Sequence, residues 1–152
     1  MAVAAHVSRV AKDYAPHGYS VMESISRSWE SLPDGDGVDE GGIVLIVDDA
    51  DIYLEKVQIV GDSALDAAAA QWLTIEVSSM DSGAVASTTH ATIDTTASGT
   101  GGLADSVFYD VPIATPVVPK GRVLIMSLVK SEDNGTASEI SLDLQVRYRR
   151  KA

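Results

Sequence analysis

The chain has 152 residues, 45% of them apolar, no cysteine, and a formal net charge of −11. A domain of this length buries roughly 68–70% of its unfolded surface, so its core needs no disulfide or metal; the absence of cysteine also excludes thiol catalysis, zinc–thiolate sites and redox switching. The span from Asp13 to Val146 holds 22 acidic against 5 basic residues, which argues against nucleic acid as a partner, because phosphate binding depends on Lys and Arg.

No apolar run approaches the roughly 18 residues of a membrane span, and the N-terminus lacks the basic start and long apolar run of a signal peptide. A soluble protein without a membrane partner is expected. Residues 1–17 show no periodicity and read as an N-terminal arm, carrying Arg9 and Lys12, ahead of one domain over residues 18–152.

Residues 18–30 set Tyr19, Val21, Ile25 and Trp29 against Ser20, Ser24, Ser26 and Ser28, the period of a strand. Next comes Asp34-Gly35-Asp36-Gly37-Val38-Asp39-Glu40. Carboxylates on a glycine-rich turn are how calcium is held, which makes Asp34, Asp36 and Asp39 candidate calcium ligands. The EF-hand pattern fails, because Asp39 falls at its glycine position and Leu45 at its bidentate glutamate. A solvated turn is the simpler account. Ile43 to Val47 is a short apolar strand, followed by a second acidic turn, Asp48-Asp49-Ala50-Asp51; if the two acidic loops met at one end, they would form a joint site.

Ile52 to Val60 reads as a strand whose phase slips near Lys56, the mark of a bulge. Ala64 to Gln71 contains four consecutive alanines but is too short for a stable helix, so a turn or loop is expected. Trp72 to Ser79 alternates Leu73, Ile75 and Val77 with Thr74, Glu76 and Ser78. Ala84 to Ile93 is a weaker Thr/Ala/Val strand. Gly99-Thr100-Gly101-Gly102 lacks the lysine of a phosphate loop and reads as a flexible turn. Val107 to Val111 and Ile113 to Val118 are interrupted by Pro112, Pro116 and Pro119 and suit sheet edges or connections.

Gly121 to Lys130 is apolar on both faces, as in a central strand. Glu132-Asp133-Asn134-Gly135 is a turn signal, so this strand and the next form a hairpin candidate. From Glu139 to Arg149, Ile140, Leu142, Leu144, Val146 and Tyr148 alternate with Ser141, Asp143, Gln145 and Arg147. About eight strands at spacings near ten residues predict an all-β fold, an antiparallel β-sandwich of jelly-roll type with an N-terminal arm.

Chemistry-bearing patterns are sparse. His6, His17 and His90 are far apart and none has an acidic neighbour, so no triad or metal site is indicated and an enzyme is not expected. Aromatic residues are 5% of the chain; Tyr19, Trp29 and Tyr148 fall in phase with core residues, which favours packing over sugar stacking. The basic groups at the two ends, Arg9 and Lys12, then Arg147, Arg149, Arg150 and Lys151, are candidate partner contacts or a means of keeping a last strand solvated.

Ile52-Tyr53-Leu54-Glu55-Lys56-Val57-Gln58-Ile59-Val60-Gly61-Asp62-Ser63-Ala64-Leu65, followed by Trp72 to Val77, resembles small β-sandwich structural proteins of tailed phages. The Thr/Ala/Ser segment from Ala86 to Ser98, the turn Val118-Pro119-Lys120-Gly121-Arg122-Val123-Leu124, and Leu142 to Tyr148 extend the resemblance over residues 43–149. The Ser-rich first strand and the aspartate-heavy loops depart from the family style. The resemblance implies a virion component, a capsid decoration or head-surface protein on the phage particle. It would be homo-oligomeric, commonly trimeric, with major capsid or other virion proteins as partners. The alternative is a carbohydrate- or receptor-binding module, with calcium as its single candidate cofactor.

Overall fold

The alternating segments do fold as strands. The computed structural model describes residues 22–29, 39–65, 72–81, 83, 86–96, 98–130 and 141–151. Nine strands run through them: β1 (Glu23–Trp29), β2 (Asp39–Val47), β3 (Ile52–Gly61), β4 (Leu73–Asp81), β5 (Ser87–Asp94), β6 (Phe108–Asp110), β7 (Val117–Val118), β8 (Arg122–Lys130) and β9 (Leu142–Arg150). Among the described residues there is no helix. One sheet has the order β1-β9-β3-β6, with β7 also on β3, and the other has the order β2-β8-β4-β5.

The pairing is nested. β1 pairs with β9, β2 with β8, β3 with β6 and β7, and β4 with β5, every pair antiparallel. A chain that pairs its first strand with its last and closes inward in this way is one long hairpin rolled into two sheets, the jelly roll. β6 and β7 together take the place of one strand. Proline explains the interruption, since Pro112 and Pro116 offer no N–H to a ladder.

The predicted hairpin of Gly121–Lys130 with Glu139–Arg149 does not form. β8 lies between β2 and β4 in one sheet, while β9 lies between β1 and β3 in the other. The two strands face each other across the core, and the turn signal at residues 132–135 lies outside the described residues. Alternation says which face of a strand is buried; it does not say which neighbour pairs with it.

Both inner faces are continuous rows of apolar side chains. β9 contributes Leu142, Leu144, Val146 and Tyr148, β4 contributes Leu73, Ile75 and Val77, and β8 contributes Leu124, Met126 and Leu128, all buried. Three bulges adjust the phase, between Leu54 and Lys56 in β3, Ile43 and Leu45 in β2, and Val77 and Ser78 opposite β5. The first is the slip read from the sequence: Leu54 and Val57 both stay buried because Glu55 is the extra residue.

Along the β1/β2 edge, Arg27 reaches between the sheets. Its Nη1 donates to the Met126 carbonyl of β8 at 3.2 Å, and its guanidinium lies over the Trp29 ring, 5.1 Å from the centroid. Gly42 is what leaves room, because a Cβ there would run into the Arg27 guanidinium.

The segment Gly99–Gly102 is more ordered than the flexible turn expected of it. Gly99 N donates to Thr96 O at 3.0 Å, Thr100 N to Asp94 O at 2.9 Å and Gly102 N to Thr95 O at 3.0 Å. Gly101 sits at φ 72° with open space around its Cα, whereas a Cβ on Gly99 would collide with the backbone carbonyl of Asp94. Gly101→Ala is therefore expected to cost about 1 kcal/mol, the strain of a left-handed alanine. Gly99→Ala should cost at least about 2 kcal/mol, because backbone must shift. Urea unfolding of the two variants checks this; equal midpoints would show that the turn is not rigid.

Candidate interaction surfaces

The two outer faces of the sandwich differ in chemistry. On the five-stranded sheet, Ser24, Ser26 and Ser28 of β1 and Asp143 and Arg147 of β9 are exposed, with Gln145, Arg149 and Gln58 half-exposed. This face is polar throughout its centre. On the four-stranded sheet, Ile43 stands opposite Ile125 and Ile46 opposite Val123. Ile43 and Ile46 are each 63% exposed, and Val129 on the same side of β8 is also exposed. The phase follows from burial: Leu124, Met126 and Leu128 fill the core, so Val123, Ile125 and Val129 must point outward. The result is a largely apolar stripe on the outside of a strongly acidic protein.

The basic cluster on β9 lies at the end of the sandwich where β2 turns into β3. Arg149 Nε donates to Glu55 Oε1 at 2.6 Å, and Glu55 is available because the β3 bulge turns it outward. Arg150 Nε lies 3.3 Å from both carboxylate oxygens of Glu23, which also accepts the Tyr148 hydroxyl at 2.9 Å. Burial and the Glu23 carboxylate push the Tyr148 phenol above its ordinary value. Lys151 Nζ is 4.0 Å from Asp51 Oδ2, and Lys151 N donates to Asp51 O at 2.8 Å. Three of the four C-terminal cations thus meet carboxylates of their own domain. Arg147 is exposed, and no ion pair holds it among the described residues. Arg9 and Lys12 lie outside those residues.

Asp39 opens β2 and Asp48 follows its end, and a nine-residue strand separates its ends by roughly 26 Å. Asp51 serves the fold itself. Besides meeting Lys151, it accepts the Lys120 N–H on Oδ1 at 3.0 Å and so ties together two turns and the last strand. Asp34 and Asp36 lie outside the described residues, and Asp39 is described only as the first backbone position of β2. Among the described residues no three His, Asp or Glu side chains are placed to hold a metal ion.

A cleft of about 590 Å³ opens at the other end, lined by Ser28, Trp29, Asp62, Ser141 and Asp143 among others. Asp62 Oδ1 accepts the Ser141 N–H at 2.9 Å, and Asp62 N donates to Ser141 O at 3.1 Å. That reciprocal pair holds the start of β9 to the end of β3 and lowers the Asp62 carboxyl below its ordinary 3.8. Trp29 is buried and offers no stacking face. Phe108, 62% exposed on β6, is the one large aromatic that the packing leaves outside among the described residues.

His90 is the buried polar feature that the sequence did not announce. It is the extra residue of the β5 bulge, fully buried beside Ser79. Its Nε2 is 2.7 Å from Ser79 Oγ and its Nδ1 is 2.7 Å from Thr115 O. Although Ser and His are adjacent, both are at 0% exposure, so nothing in solution reaches the hydroxyl. A histidine in a weakly apolar Thr/Ala strand was the available signal, but its bulge is set by pairing with β4.

No protein-family model matches the sequence, and no curated protein matches it. Among solved structures, a chain of the cyanophage Pam1 capsid asymmetric unit is 14% identical, with a TM-score of 0.54 over 90% of this chain and 89% of that one. Infectious bursal disease virus, Gx strain, gives 13% identity and a TM-score of 0.40 over 88% of this chain and 38% of that one. The VP2 subviral particle of the same virus gives 14% and 0.37, over 86% and 37%. The chain therefore spans nearly the whole of the cyanophage capsid chain and under two fifths of the bursal disease virus chains. The chain shares its two-sheet jelly-roll fold with the cyanophage capsid chain.

Glu23→Gln removes the charge shared by Tyr148 and Arg150. Because the pair is partly exposed, the expected loss is no more than about 1 kcal/mol, and Arg147→Ala should cost nothing measurable. Thermal melts of both variants check this. A several-fold larger loss in Glu23→Gln would make that pair a lock on the last strand.

Proposed function

We propose that this chain is a virion structural protein, a capsid decoration or other head-surface subunit of a phage, which acts by protein–protein contact and not by catalysis. The observation that carries this reading is the apolar stripe of Ile43, Ile46, Val123, Ile125 and Val129. Five β-branched side chains on the outside of one sheet of a chain with net charge −11 are what a subunit packed against a neighbour requires. A jelly roll serves capsids and lectins alike, so fold alone does not choose between them. The stripe favours packing, and the burial of Trp29 and Tyr148 leaves Phe108 as the one large exposed aromatic among the described residues, too little for a sugar-stacking platform.

In this reading the acidic surface keeps free subunits apart until the stripe docks. Homo-oligomers, trimers in the first instance, and the major capsid or another virion protein are the partners it would meet. Residues 1–17 and the basic groups of β9, Arg147 foremost because it is exposed, are the proposed secondary contacts.

Light scattering on the full chain and on Ile43→Asp/Ile46→Asp tests the proposal. The expected result is a defined oligomer for the natural sequence and a folded monomer for the double variant, because both side chains lie outside the core. An unchanged oligomer in the variant would remove the stripe from the assembly, and a natural-sequence monomer that binds no shell would overturn the reading.

A further inference from the structure

We propose that the segment from Val111 to Val118 is an acid-released strap, which the neutral ring of His90 holds across the open edge of the sandwich. The segment bonds to both sheets. On the β3 side, Val111 N donates to Val57 O at 2.8 Å, Leu54 N donates to Pro116 O at 2.8 Å, and Val117 and Val118 pair with Tyr53 and Ile52. On the β5 side, Ala114 N and Thr115 N donate to His90 O at 2.8 and 3.2 Å, and Ile113 forms a bridge with Ala91. The strap is the stitch that joins the two sheets along this edge.

The ring beneath it has one self-consistent proton arrangement. Thr115 O can only accept, so Nδ1 carries the hydrogen and Nε2 is bare. Ser79 Oγ then donates to Nε2 and accepts in turn from Arg122 Nη1 at 3.2 Å, while the same Nη1 donates to Thr88 Oγ1 at 2.9 Å. The chain of bonds runs one way, from Arg122 through Ser79 and His90 to the strap carbonyl. A second proton on the ring reverses its middle link. Nε2–H would then point at Ser79 Oγ, whose own hydrogen loses its acceptor, and the hydroxyl would face two cationic donors in a buried site.

The surroundings give the new charge little relief. Arg122 of β8 is the charged group against the cluster, with Ser79 of β4, Thr88 of β5 and Thr115 of the strap as neutral neighbours. Asp81 of β4 is the register partner of Arg122 at the same end. The inward residues of β3, Ile52, Leu54 and Val57, carry no charge. Burial and, to a smaller degree, the charge of Arg122 push the imidazole below its ordinary 6.5, against the Thr115 bond, which pulls upward. Opening the strap lets water reach the ring and restores its ordinary value, so opening takes up a proton. The strap is held in full above pH 6.5 and loosens as pH falls below it, toward the lowered value of the closed state.

Amide hydrogen exchange, resolved by residue on the full chain at pH 7.5 and 5.0 and corrected for the intrinsic pH dependence of exchange, tests this. The opening constants of Ala114 and Thr115 should rise by up to about tenfold per pH unit below 6.5, the limit for one proton, while the β8 amides of Leu124 and Met126 hold. His90→Gln should make the strap amides insensitive to pH. Should that variant fail to fold, the ring titration of His90 in the natural chain decides: its midpoint should lie below 6.5 and coincide with that of the strap amides. Equal strap protection at both pH values, a ring that titrates at or above 6.5, or strap and β8 amides that move together would each overturn the proposal.

Discussion

The structure depends on the burial of β9. This strand lies between β1 and β3, and its row of Leu142, Leu144, Val146 and Tyr148 is the inner face of one sheet. Its partners come from the first half of the chain, β1 about 120 residues earlier and β3 about 90. Every other pairing nests inside that closure, so the sandwich is complete only when both ends of the domain have met. Such a topology consists of non-local contacts, and folding of this kind is slow and cooperative for the same reason.

A sandwich of two sheets leaves two open sides where water and foreign strands can enter. This protein closes them by different chemistry. On the β1/β2 side one guanidinium, Arg27, spans to a carbonyl of the opposite sheet and stacks on Trp29, with Gly42 opposite to make room. On the β3/β5 side a proline-broken strap carries backbone bonds to both sheets, and a buried histidine anchors it. The second closure rests on the imidazole of His90, the group through which we propose that acid releases the strap.

The outer faces divide in the same manner. The five-stranded sheet presents a serine comb and the charged side chains of β9, several already matched to carboxylates of the domain. The four-stranded sheet presents the Ile43/Ile125 and Ile46/Val123 pairs. Serine on one strand and isoleucine on another have the same two-residue period, so periodicity alone reads both as half-buried strands. Which isoleucines are inside depends on the bulge between Ile43 and Leu45, a property of the pairing with β8.

The sequence by itself determined most of the strands, the inward faces of those that alternate, the bulge near Lys56, the edge placement of the proline-rich stretch and the rolled-sandwich class. All of these follow from local alternation and from what proline cannot do. Tertiary structure decided what local pattern cannot carry. It put β8 and β9 in opposite sheets in spite of the turn signal between them, because their apolar rows bury each other only from opposite sides of the core. It set Asp39 and Asp48 at opposite ends of β2, matched three of four C-terminal cations to the domain's own carboxylates, and brought His90 under the strap. The physical reason is common to all four: periodicity selects a face, while partners are selected by the global burial of those faces.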